Sequence, residues 1–92
     1  MNIIEIVNIF DNYVNDNYLY SSSDKFSWLA GEHVLINLTS DFLIVKYWNY
    51  LTMIPVDGVK NIELDNNEIV IKSINKHCDN VCIPVIDVHY RT

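Results

Sequence analysis

The chain has 92 residues, half of them apolar, with 12 acidic side chains against six basic ones and a net charge of −6. That is enough material for one small core and not for several, so a single domain over residues 1–92 is expected. The acidic balance disfavours nucleic-acid binding through counterion release, and no apolar run approaches the roughly 18 residues of a membrane-spanning helix.

Residues 2–14 read as an amphipathic helix, with Ile3, Val7, Phe10 and Val14 on one stripe that Ile6 and Tyr13 widen. Asn2 is placed to cap the first turn and Glu5 to reach back to the Asn2 amide, as in a capping box. The polar run "NDNY" at 15–18 ends the helix. The next stretch, "YLYSSSDKFSWLAG" (18–31), admits two readings. One is a helical turn from Asp24 to Ala30, capped by Ser22 or Ser23 and stopped by Gly31. The other is a short strand in which Phe26 and Trp28 alternate with Ser27 and Leu29. The helical turn is the preferred expectation.

From Glu32 the pattern changes to strands. "HVLINLT" (33–39) and "FLIVKYW" (42–48) are rich in β-branched and aromatic residues and are separated by the turn-forming Ser40-Asp41. "LTMIPV" (51–56) follows an Asn49-Tyr50 bend and runs into an Asp57-Gly58 turn. "KNIEL" (60–64) and "EIVIK" (68–72) flank Asp65-Asn66-Asn67 as a hairpin. The last strand, "CIPVIDVHY" (82–90), holds Pro84, which lacks a ladder donor and so belongs at a sheet edge or bulge. The sum is an α+β fold, an N-terminal helix followed by a five- or six-stranded antiparallel meander that forms a sheet or a small barrel, with SH3-like or Sm-like topology open to it.

The stretch "LAGEHVLINL" (29–38) resembles the opening of the Sm-like small barrel, with Leu29, Gly31, Val34, Ile36 and Leu38 at its marked positions. That resemblance implies barrel topology. The chain then departs from the family pattern, lacking both the mid-barrel glycine and the basic residues that contact RNA.

Three features bear on chemistry. The stretch "HCDNVC" (77–82) gathers thiols and imidazole, and Cys78, Cys82 and His89 are its candidate metal ligands. Adjacent His77 and Cys78 on a strand point to opposite faces, however, and the spacing is not that of a zinc knuckle, so a hairpin bend with packed thiols is preferred and no metal or cofactor is expected. No phosphate loop, dinucleotide fingerprint or nucleophile elbow occurs, and the carboxylates are scattered, so the chain is expected not to be an enzyme.

The third feature is a concentration of aromatic residues around Asn49, in which Tyr47, Trp48 and Tyr50 are candidate anchors for a partner. Phe42 and Met53 lie in the same twelve-residue window. Phe42, Ile44 and Lys46 share one strand face with Trp48, and Leu43, Val45 and Tyr47 share the other, so large side chains stand on both. The acidic first half adds Glu5, Asp11, Asp16, Asp24 and Glu32 as candidate contacts to a basic surface.

Together these traits point to a small, acidic, non-enzymatic binding protein. It is expected to occupy a protein partner whose surface is basic, such as a nucleic-acid-binding enzyme. An inhibitor of the phage or mobile-element anti-defence (anti-CRISPR) or toxin-immunity type fits by analogy. The alternative is a small barrel that sequesters a nucleotide or single-stranded RNA. The absence of a basic leader and of a membrane span places the expected site of action in the cytoplasm, that of the host if the chain is phage-encoded. Neither direct nucleic-acid binding nor membrane association is expected under the first reading, and a homodimer is compatible with it.

Overall fold

The structure, a computed structural model, describes residues 1–31, 33–47, 49, 51–74 and 81–84. Helix α1 runs Ile3–Asn15. It begins where Asn2, in an extended conformation, accepts a hydrogen bond from the Glu5 amide at 2.9 Å. It ends in a Schellman turn. Asn17 takes the left-handed conformation (φ 65), the Tyr18 amide donates to the Tyr13 carbonyl at 2.8 Å, and the Asn17 amide donates to the Val14 carbonyl at 3.0 Å. The edge-on contact of the Tyr13 and Tyr18 rings, 6.2 Å between centroids, closes this turn.

Eight strands follow: β1 (Tyr20–Ser21), β2 (Ser27–Ala30), β3 (Val34–Leu38), β4 (Phe42–Lys46), β5 (Leu51–Pro55), β6 (Val59–Asp65), β7 (Glu68–Ser73) and β8 (Val81–Pro84). All pairings are antiparallel and sequential, giving a five-stranded sheet β1-β2-β3-β4-β5 and a three-stranded sheet β6-β7-β8. The helix-then-antiparallel-meander order is therefore what the chain adopts, with its strands divided between two sheets. A single 3-10 turn, Val56–Gly58, carries the chain from one sheet to the other where the Asp57-Gly58 signal stands.

The preferred helical turn at 24–30 is not formed. Ser27–Ala30 is a strand, paired on one side with β1 and on the other with β3. Phe26, just before it, sits in the left-handed region (φ 57), and its carbonyl accepts from the Leu38 amide at 2.9 Å. The long-range pairing with β3 thus overrides the local serine cap and glycine stop. Gly31 is left-handed as expected (φ 64), but it leaves a strand rather than a helix.

Alternation decides which residues form the core. In the five-stranded sheet, Trp28, Ile36 and Val45 lie opposite one another, as do Leu38, Leu43 and Ile54, and all six are buried. In the three-stranded sheet, Ile62, Ile69, Ile71, Val81 and Ile83 are buried on one face. These rows belong to one core cluster, together with Ile6, Phe10 and Leu19.

The helix lies over the joint between the sheets. Its Phe10 ring packs on Trp28 of the first sheet with centroids 4.9 Å apart. Its Tyr13 hydroxyl is raised in pKa, first by burial and then by the charge of Glu63 on the second. A further link between the sheets is the Tyr47 hydroxyl, which donates to the Cys82 carbonyl at 3.1 Å.

Asn66 and Asn67 both have positive φ (50 and 64) between the paired Asp65 and Glu68. This is the two-residue turn that matches the twist of a β-hairpin. In the β3–β4 turn the Thr39 hydroxyl accepts from the amides of Asp41 and Phe42, which fixes Ser40-Asp41 at its tip. Pro84 lies in β8, an edge strand of the three-stranded sheet among the described residues, as its missing donor requires.

Candidate functional site

The two sheets present opposite kinds of outer surface. On the three-stranded sheet the outer row carries Asn61, Glu63 and Lys72, tied together: Lys72 Nζ is 2.7 Å from Glu63 Oε1, and Asn61 Nδ2 donates to Glu63 Oε2 at 3.2 Å. The Lys72 ammonium, by hydrogen bond and then by charge, holds the Glu63 carboxyl below its usual range, and Glu63 raises Lys72 in return. This is a solvated polar face of the ordinary kind.

The outer face of the five-stranded sheet is different. Ile44 stands opposite Met53, Phe42 opposite Pro55, and Lys46 between Leu35 and Leu51; Leu29 is opposite Leu35. Phe42, Leu51 and Met53 keep 36%, 50% and 48% of their surface exposed. Leu29, Leu35 and Ile44 are half-buried beside them. With strands about 4.8 Å apart and same-face residues about 7 Å apart, these rows span roughly 14 Å by 14 Å, within which the apolar residues surround Lys46 and adjoin Asn37 and Ser27. Contiguous apolar area of this kind is what sets a binding face apart from scattered exposed side chains.

The polar groups on this face are few and placed. Asn37 Nδ2 donates to the buried Ser27 Oγ at 2.8 Å, so the Asn37 amide is engaged within the sheet. Lys46 is exposed between the two leucines at one end. At the other end, the Val56 amide donates to the Asp41 carbonyl at 2.9 Å, which holds the exposed Asp41 beside the Phe42–Pro55 end of the block, while Asp57 lines a depression with Asn2, Ile3 and Ile4 at the start of the helix. The face is therefore apolar in the middle, acidic at one end and basic at the other. Phe26, 49% exposed, precedes β2 in a backbone conformation that costs a non-glycine residue about 1–2 kcal/mol.

The residues singled out from the sequence separate on this fold. Glu5, Asp11 and Asp16 lie on or at the end of α1, which packs on the inner face of the five-stranded sheet, so they stand on the opposite side of that sheet from Phe42, Leu51 and Met53. Asp11 has a structural duty: its Oδ1 accepts from the indole Nε1 of Trp28 at 3.1 Å. Asp16 caps the helix C-terminus, where a carboxylate meets the negative end of the helix dipole, and no base occupies that last turn to offset it. Asp24 is exposed in the loop before Phe26.

Tyr47 is half-buried against the core, where its hydroxyl bridges the two sheets as described above. Glu32, Trp48 and Tyr50 lie outside the described residues, as do Cys78 and His89. Leu51, Asp41 and Asp57 were absent from the candidate set. For Leu51 the signal is register, since pairing Lys46 with Leu51 and Ile44 with Met53 puts it on the face of Met53 and Phe42, whereas Asp41 and Asp57 lie outside the paired strands.

The remaining thiol of the metal candidate set, Cys82, is a free, exposed cysteine on the outer face of the three-stranded sheet, opposite Val70 and diagonal to Glu68. Desolvation against the sheet, then a hydrogen bond to the Glu68 carboxylate and its charge, push this thiol above its ordinary pKa. Such a group is a poor thiolate nucleophile or ligand. Among the described residues no three or more His, Cys, Asp or Glu side chains converge as a metal site.

A depression lined by Asn2, Ile3, Ile4, Ser40, Val56 and Asp57 is broad and open, unlike the enclosed pockets that hold small ligands. No helix among the described residues is long and apolar enough to cross a membrane. Comparison of the chain with protein-family models, with curated proteins and with solved structures gave no match.

Proposed function

We propose that this chain is a non-enzymatic binding protein that acts by covering the surface of a partner protein, and that the outer face of the five-stranded sheet is the covering surface. One observation carries the reading: the two sheets share a core, yet the outer face of one sets Val70 and Cys82 among charged and amide groups, and that of the other is mainly apolar. Solvation alone gives no reason for Phe42, Leu51 and Met53 to stand together in water. In a partner's apolar recess they supply the desolvated centre of an interface, and Lys46 and Asp41 supply its polar ends.

The net charge of −6 favours a partner with a basic surface. The helix acids, facing away from the block, act in this reading through the long-range field that steers encounter. An inhibitor that blocks a basic functional surface, of the anti-defence or toxin-immunity kind, is the form of this reading that size and charge favour by analogy.

The experiment is affinity capture from the native host at low and high salt, with mass spectrometry of what is retained, using the wild-type chain and a Leu51→Ser/Met53→Ser variant. The reading expects a specific protein on the wild type, less of it as salt rises, and its loss from a variant that still folds. Retention of the same protein by both chains would sink it, as would an empty wild-type column at low salt. Nucleic acid carried through purification, seen as a raised A260/A280 ratio, would favour sequestration of nucleotide or RNA instead.

A further inference from the structure

We draw no further inference here: the strongest candidate, the apolar outer face of the five-stranded sheet with the left-handed, half-exposed Phe26 beside it, belongs to the site already described, and nothing in the structure shows what further ligand covers it.

Discussion

Ile54 and Met53 are neighbours on β5 whose side chains point to opposite sides of the sheet, and truncating each to alanine separates core from binding face. Ile54 is 4% exposed and packs opposite Leu43 in the core, whereas Met53 is 48% exposed and stands opposite Ile44 on the outer face. Removing a fully buried isoleucine loses its transfer free energy and leaves a cavity, together about 2–5 kcal/mol. Met53 has only about half of its surface to lose, and solvent fills the gap, so its truncation costs about 1 kcal/mol. The penalty for alanine in a strand applies to both and largely cancels in the comparison.

In a domain of this size 1 kcal/mol moves Tm by about 4–8 °C. Ile54→Ala should therefore lower Tm by about 8–40 °C, and Met53→Ala by about 4–8 °C. Thermal unfolding followed by circular dichroism measures both. Equal losses, or a larger loss for Met53→Ala, would refute the reasoning, because a one-residue slip in register exchanges every inner side chain of the strand for an outer one.

Three further predictions concern separate parts of the molecule. Asp11→Ala leaves the Trp28 indole N–H, at a residue only 3% exposed, without its carboxylate acceptor and should cost about 1–2 kcal/mol, whereas Asp24→Ala should stay within about 0.5 kcal/mol; equal values in chemical denaturation would contradict the structural duty given to Asp11. In the β6–β7 turn, Asn67→Gly should raise stability by a few tenths to about 1 kcal/mol and Asn67→Val should lower it by about 1–2 kcal/mol, and a stabilising valine would show that φ at 67 is not positive. Because the raised pKa of Cys82 lowers its thiolate fraction at any given pH, it should alkylate at pH 8 more slowly in the folded chain than in urea. Glu68→Gln should speed the folded reaction, read residue by residue by mass spectrometry, and an unchanged rate would contradict the Glu68 contact.

What the sequence made legible, and what it did not, follows from where the deciding interactions lie. The helix was readable because its cap, stripe and stop are all local: Asn2, the Ile3-to-Val14 spacing and Asn17 act within a turn or two of themselves. The hairpin 60–72 was readable for the same reason, since Ile62, Ile69 and Ile71 alternate with polar neighbours around an Asn-Asn turn. Residues 24–30 misled because Ser23 and Gly31 are sound helix signals, and only pairing with β3, which no local pattern encodes, makes them the flanks of a strand.

The binding face was half legible. "FLIVK" is apolar on both sides, so alternation grouped Phe42 with Ile44 and Leu43 with Val45 without saying which group faced in. A distant helix decides that, through Phe10, which packs on Trp28 of the row that Trp28, Ile36 and Val45 form. The same packing turned Tyr47, read as a candidate anchor, toward the core.

The central claim, that the outer face of the five-stranded sheet is the binding surface, is tested most directly by methyl NMR of the chain titrated with the partner it captures. On binding, the methyl signals of Leu35, Ile44, Leu51 and Met53 should shift or broaden. Ile4, 72% exposed on the helix, and Val70, on the outer face of the three-stranded sheet, should stay in place. Perturbation centred on Ile4 or Val70, with Ile44 and Met53 unmoved, would contradict it.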